Sequence, residues 1–293
     1  MSANIQTSYA PHLLPPELLE RPLEPQIAYA IDPPNTPEFD DAMAVHSENC
    51  QKGESLLTTV YIAYTALIGT NPEIFDRAHD RAFSIYGLGH SEYMLPNDIN
   101  NLLSLGNNPE GSPAVAIDLR LYSGVLSLEG IRSVRVQVNQ QTYDSFQQLA
   151  INKDPTALEI VNASIKLSDL GKCAMQRPSK RNSHAVVAQY MISANSALAN
   201  FAKENGIPWI YRSCPKGSPD SMARYTHQPD YHHTLRCLYS HTTSPLRRFI
   251  DFVNIMQIAA FIDEKQFPFY ISDMKGFAED TNQRTEQLRK ITA

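Results

Sequence analysis

The sequence predicts an α+β fold, an antiparallel and partly barrel-like β-sheet wrapped by α-helices. Two observations carry this. Alternating and β-branched apolar segments fill residues 25–138 and recur at 207–240, the period of half-buried strands. Helical spacing takes over at 142–205 and again at 243–291. With 293 residues and 42% hydrophobic composition the chain can bury a substantial core. No internal repeat is visible. Residues 1–24, rich in Pro and Leu, are predicted to form an extended arm, and 25–293 a single domain.

In order, an apolar run from Ile27 to Ile31 leads into an acidic, proline-rich loop, and Ala42 to Val45 leads out of it. Leu56 to Ala63 reads as a central strand. Glu73 to Phe83 reads as a helix followed by a loop, Ser84 to Gly89, and Asp98 to Leu105 as a short helix. Ala114 to Tyr122, Val125 to Leu128 and Ile131 to Val138 continue the antiparallel pattern. Residues 142–170 are helical, with Thr142-Tyr143-Asp144 as the start. Asn182 to Asn205 is the clearest amphipathic helix, placing Val186, Met191, Ala194, Leu198 and Phe201 near one face. Trp209 to Tyr211 and Leu235 to Tyr239 read as short strands. Thr243-Ser244-Pro245 is predicted to open a long helix, with a hydroxyl cap and Pro in the first turn. Met274 to Ile291 is polar and is expected on the surface.

Composition removes several classes. No run of about 18 apolar residues exists, so no membrane partner is expected, and the polar N-terminus lacks the pattern of a signal peptide. Cys50, Cys173, Cys214 and Cys237 are widely spaced, which argues against a zinc ribbon or disulfide framework and for a reducing, cytoplasmic location. The net charge of −6 is unfavourable for a nucleic-acid binder, so any basic footprint must be local. Arg177, Lys180 and Arg181 form one such patch, and Arg247-Arg248 another.

The acidic loop carries the chemistry. Asp32, Glu38, Asp40 and Asp41 fall within ten positions, among three prolines that stiffen the chain. Crowding carboxylates between buried segments is costly unless a cation neutralises them. An all-oxygen cluster suits Mg²⁺ or Mn²⁺, and carboxylate-held pairs of such ions commonly serve phosphodiester cleavage. The competing reading is turn and cap chemistry, which Asp in a Pro/Asn loop often supplies. The second constellation is Thr243-Ser244-Pro245-Leu246-Arg247-Arg248-Phe249-Ile250-Asp251. A helix start beside two guanidinium forks suits a phosphate, and the bland alternative is a capped helix with two exposed arginines.

Together these stretches resemble the RNB catalytic domain of the ribonuclease II family, processive 3′→5′ exoribonucleases. Members carry Ile-Asp followed, after five residues, by acid-x-Asp-Asp-Ala, and later a Thr-Ser-Pro-Ile/Leu-Arg helix start. Three more stretches fall in the family's order: Ile85-Tyr86 with Met94-Leu95-Pro96 and Leu102 to Leu105, Arg132-Ser133-Val134 through Thr142-Tyr143-Asp144, and Met191 to Asn195. The similarity runs over about residues 25–290. It implies Mg²⁺, or Mn²⁺, held by Asp32, Asp40 and Asp41, with Glu38 as a further ligand. It implies that Tyr86 steers the terminal nucleotide, that Arg247 contacts the scissile phosphate, and that Arg248 supports it or pairs with Asp251. Catalysis would then rest on Asp40, Arg247 and Tyr86. RNA contacts would come from Tyr86, Arg247 and Arg248, and from the patch Arg177, Lys180 and Arg181.

The implied activity is hydrolysis of single-stranded RNA, or short oligoribonucleotides, to 5′-mononucleotides. The chain departs from the pattern at Glu38, where Asp is usual, at Ala188-Gln189, where two glutamates are usual, at Tyr64 for Asp, and at Met256-Gln257 for His-Arg. The family's flanking OB folds also find no room in 293 residues, so low processivity, or a protein partner supplying RNA-binding modules, is expected. The alternative is a weak or inactive relative that serves as an RNA-binding or interaction subunit.

Overall fold

The computed structural model describes residues 20–46, 55–66, 68–87, 91–169, 177–219 and 222–292. Most of the predicted N-terminal arm, part of the Ser84–Gly89 loop, Cys50 and Cys173 lie outside these. Five strands close into a barrel: β1 (Leu23–Asp32), β2 (Asp41–His46), β3 (Ser55–Ala63), β6 (Ser112–Tyr122) and β7 (Val125–Thr142). Neighbours in this order pair antiparallel, and the ring is closed by a parallel seam between β1 and β7, running from Ile27 opposite Gln137 to Asp32 opposite Thr142. Alternation reveals a strand but not its distant partner, so the full closure and its parallel seam go beyond the predicted antiparallel sheet.

Two local devices make closure possible. Ser123 and Gly124 both have positive φ, 48° and 77°, which is the geometry of a two-residue hairpin turn matched to strand twist. Between Asp118 and Leu119 the register slips, leaving Glu129 as an extra residue on β7 and bending the ribbon. Across the outside of the ring, Arg132 donates to Asp118 and Glu24, with Nε–Oδ2 at 2.8 Å and Nη1–Oε1 at 2.6 Å. Strands β1, β6 and β7 are thereby tied together.

The helices are α1 (Pro72–Arg81), α2 (Asn97–Leu103), α3 (Tyr143–Ile151), α4 (Pro155–Asp169), α5 (Ser183–Glu204), α6 (Phe249–Ile262) and α7 (Ile271–Thr292). The predicted 142–170 helix is two, α3 capped by Thr142 with a reciprocal Ser145 bond, then α4 after a turn at Asn152–Asp154. Helix α5 buries residues nearly all round, from Val186 to Ala202, because α4, the barrel and the segment at Cys237–Leu238 cover its sides. Helix α7 is polar but not wholly superficial: Met274, Ala278 and Thr281, spaced at helical intervals, are buried.

Segment 207–240 does not join the main sheet as predicted. It makes two-stranded pairs, β8 (Tyr211–Ser213) with β9 (Arg224–Thr226) and β10 (Tyr231–His232) with β11 (Cys237–Leu238). Ile210, predicted in a strand, has its N–H and C=O satisfied instead by the amide of Asn254, at 3.1 and 3.0 Å. A further pair, β4 (Ile85–Tyr86) with β5 (Ser91–Glu92), replaces part of a predicted loop. Helix α6 begins at Phe249, six residues after Thr243. Pro245 disfavours helical geometry at Ser244, and Arg248 is extended (φ −134°, ψ 124°), pairing with Phe83. Cys214 and Cys237 are buried and are not joined in a disulfide. Among the described residues no helix is long and apolar enough to cross a membrane.

Candidate active site

Asp32 ends β1 and Asp41 starts β2, so the barrel itself brings the two carboxylates to one rim. The intervening loop is tied down at its far side. Phe39 C=O accepts from Leu105 N–H at 2.9 Å, and Ser104 Oγ lies 3.3 Å from both the Phe39 N–H and the Pro37 carbonyl. This is the physical content of the Leu-Leu-Ser-Leu stretch: it holds the acidic loop against the barrel.

The four predicted acids separate into two pairs. Glu38 is buried, accepting from Asn100 Nδ2 at 2.8 Å, from Ser84 Oγ at 3.0 Å and, closely, from the Tyr86 hydroxyl. Asp40 is buried as well, its Oδ1 taking the Leu246 N–H at 2.7 Å and its Oδ2 the Arg247 Nε–H at 2.9 Å. Both carboxylates are thus spent on hydrogen bonds. Asp32 and Asp41 instead line a cavity of about 500 Å³, together with Tyr143, Arg247, Arg248 and Arg212. Among the described residues no group of three or more His, Cys, Asp or Glu converges as a metal cage.

Electrostatics separates these groups further. Burial pushes Asp32 up to about 6, against the attraction of Arg247. Burial raises Asp41 well above the usual range, and repulsion from Asp32 and Asp40 adds to it. Burial also brings Asp40 to about 7, with Arg247 pulling down and Glu38 pushing up. Two neighbouring carboxylates that each resist ionisation are a site that a cation would relieve. Mg²⁺ keeps several waters and takes one or two protein carboxylates, so Asp32 and Asp41 fit one such ion.

Arg247 is positioned from both ends. Its Nη2 donates to Ser244 Oγ at 2.8 Å while Nε holds Asp40, which leaves the remainder of the fork facing the cavity. Arg248 pairs with buried Asp251 at 2.7 Å, and the same Asp251 oxygen accepts the Ser244 N–H at 2.8 Å. Tyr86 is half exposed with its hydroxyl anchored on Glu38. Arg177 pairs with Asp169 at 3.1 Å, and Lys180 and Arg181 are exposed in the turn before α5; none of these three lines the cavity.

Several site residues escaped the sequence reading. Asn195 of α5 organises the Thr-Ser-Pro segment: its Oδ1 accepts from the Thr242 N–H at 2.9 Å and from the Thr242 hydroxyl, and its Nδ2 reaches Tyr239 and Thr243, each at 3.2 Å. The Met-x-x-Ala-Asn stretch was its signal. Tyr143 was noted as a helix start and as part of a family-like stretch, without a role at the site, and it stacks on His184 with centroids 3.6 Å apart at the cavity edge. His241, Tyr239 and Arg212 line the cavity too. Burial and the nearby arginines lower the His241 pKa well below its usual value, so the ring is neutral. Of the departures, Ala188 lines the cavity, Gln189 is buried on Ser193, and Gln257 is buried between the Pro208 and Phe269 carbonyls.

Residues 20–157 match the RNB domain. The chloroplastic/mitochondrial ribonuclease II of Arabidopsis thaliana is 26% identical over 132 residues, covering 36% of this chain and 16% of that protein. An active-site mutant of the Dss1 exoribonuclease from Candida glabrata superposes with a TM-score of 0.76 at 19% identity, over 93% of this chain and 47% of that one. RNase R of Mycoplasma genitalium, in complex with ribose-methylated single-stranded RNA, gives 0.72 at 19% identity over 91% and 55%. Yeast Ssd1, a pseudonuclease, gives 0.74 at 14% identity over 94% and 44%. At these identities the structural matches establish the fold alone. The chain spans 16% of the curated relative and about half of each structure.

Proposed function

We infer, from the premise that this chain carries an RNB domain of the ribonuclease II family, a Mg²⁺-dependent 3′→5′ exoribonuclease that releases 5′-mononucleotides from single-stranded RNA. The observation that carries this is the placement of Asp32 and Asp41 side by side in the cavity that the Arg247 fork also faces. Asp32 and Asp41 would hold the ion, and Mn²⁺ would serve in its place. When bound, the ion supplies Lewis-acid stabilisation to the phosphoryl oxygens. Arg247 presents its free N–H groups to the scissile phosphate and is kept from rotating by Asp40 and Ser244. Asp40 acts through this positioning. Glu38 acts through Tyr86, holding its exposed ring where a terminal base would stack. Tyr143 and Arg248 complete the wall. The basic patch at Arg177, Lys180 and Arg181 contributes at most to the approach of a longer strand.

The second reading, a weak or inactive RNA-binding relative, is favoured by the hydrogen-bonded state of Glu38 and Asp40 and by Ala188 in the cavity wall. A protein partner carrying RNA-binding modules and a cytoplasmic site of action are compatible with either reading. A 5′-labelled oligoribonucleotide with a free 3′ tail, incubated with Mg²⁺ or Mn²⁺, decides between them. The expected result is a ladder shortening from the 3′ end, abolished by Asp41→Asn and by Asp40→Asn. A folded protein that gives no ladder in either metal, yet retains the RNA in a filter assay, establishes the binding subunit instead.

A further inference from the structure

The cavity contains a third guanidinium that the reading above leaves unused. Arg212 is presented by β8, its N–H bonded to the Tyr239 carbonyl at 2.9 Å, and its guanidinium carbon lies 5.2 Å from the ring centroid of Tyr225. Tyr225 is buried, and its hydroxyl shares a hydrogen bond of 2.8 Å with His241 Nδ1, so the surface on which Arg212 rests is fixed. Arg247 and Arg248 each face a buried carboxylate, Asp40 and Asp251. Among the described residues no carboxylate lies within ion-pair distance of Arg212. A half-buried guanidinium stacked on an aromatic face, lacking an acidic partner and lining a cavity, is arranged for an anion from outside.

Its place within the cavity says which anion. Asp32, Asp41 and Tyr143 form the barrel-rim wall, and Arg247 stands on the Thr-Ser-Pro segment beside them. Arg212 is carried by β8, a different segment, and Ile192 and Leu235 add apolar side chains to the same cavity lining. Two guanidinium groups on different segments, with apolar side chains in the same cavity, match the chemistry of a strand that carries successive phosphates. We propose that Arg212 forms a second phosphate subsite, taking a phosphate one nucleotide removed from the one held at Arg247. This rests on the reading that the cavity receives an RNA 3′ end. The second phosphate has two sources, a 3′-terminal phosphate or the adjoining linkage of the strand.

The test is equilibrium binding of three diadenylates to the full chain by calorimetry, with Ca²⁺ replacing Mg²⁺ to prevent turnover. One ligand has only the internal phosphate, one carries an added 5′-phosphate, and one an added 3′-phosphate. The wild-type protein is expected to bind one of the doubly phosphorylated ligands about tenfold more tightly than the parent, the scale of a single charge-assisted contact. A gain confined to the 3′-phosphate identifies a terminal phosphate, and a gain confined to the 5′-phosphate the adjoining linkage. Arg212→Gln is expected to erase the gain and leave the parent's affinity unchanged, while Arg212→Lys, which keeps the charge, retains part of it. Parent binding with no gain in the wild-type protein overturns the subsite alone, and so does an equal loss for all three ligands in Arg212→Gln. Failure of every diadenylate to bind overturns both the subsite and the RNA-end reading.

Discussion

At the scale of single residues, the division of four acids into two pairs makes a sharp prediction. If Glu38 serves Tyr86 and only Asp32 and Asp41 face the ion, charge removal at the two kinds of position has different effects. Asp41→Asn is expected to weaken Mn²⁺ binding, followed by electron paramagnetic resonance, by about tenfold or more. Glu38→Gln keeps the shape and most of the acceptors, and is expected to leave that affinity within about twofold while it loosens Tyr86. Equal losses in both variants would show that Glu38 does reach the ion. Proton competition adds a sign. Because the Asp32 pKa stands at about 6 and burial also raises that of Asp41 well above its usual value, Mn²⁺ affinity should rise with pH from 5 to 8 and flatten in Asp41→Asn. The acidic loop was legible in the sequence because proline spacing and flanking apolar runs forced the carboxylates together. Which acids would stay free was not legible, since the groups that occupy Glu38 and Asp40 come from Ser84, Tyr86, Asn100 and Leu246, up to 206 positions away.

At the scale of elements, the site hangs on two segments pressed together by one amide. The Thr-Ser-Pro segment was expected to be the first turn of a helix, and it is instead an irregular bend held from outside. Its backbone leans on Asn195 of α5 and on Asp251 of α6. Replacing Asn195 by Ala strands the Thr242 N–H and removes the contacts to Tyr239 and Thr243. The expected cost is about 1–3 kcal/mol in urea unfolding, typical of buried polar groups left unpaired. The sharper expectation is kinetic: kcat should fall more than the affinity for a short oligoribonucleotide, because Ser244 and Arg247 lose their fixed position and the carboxylates do not. A fall in affinity alone would show that Asn195 shapes the cavity without aligning the chemistry. The helix itself was readable from its apolar run, but its start was not. Cap-forming residues and Pro mark a boundary region, and the choice among positions inside it was made by Phe83, Asn195 and Asp251, whose partnership is tertiary.

At the scale of the whole molecule, acidic groups of opposite tendency are built into one fold around the barrel. Around its outside, Asp118 is held below its ordinary pKa of 3.8: hydrogen bonds from Arg132 and Thr59 outweigh burial, the largest opposing influence. Asp263 is lowered likewise, with bonds from Arg21 and Lys265 overcoming its burial. A carboxylate with a depressed folded pKa stabilises the fold above its unfolded pKa and loses that contribution as pH falls through the folded value. The rim groups behave in reverse. Asp32 at about 6, Asp40 at about 7 and Asp41 above its ordinary value bind protons more readily folded than unfolded, so their ionisation costs stability as pH rises from about 4 through 7. The metal-free protein is therefore expected to have its highest Tm near pH 4, falling on the acid side through Asp118 and Asp263 and on the alkaline side through the rim. Saturating Mg²⁺ should raise Tm little at pH 5 and clearly at pH 8, because a ligand stabilises the state that binds it and these acids bind it only when ionised. Asp41→Asn should flatten the alkaline limb and remove the Mg²⁺ response together. A Tm that climbs steadily from pH 5 to 8 without metal would mean that the rim carboxylates are already neutralised within the chain, and that the cavity is not built around a cation.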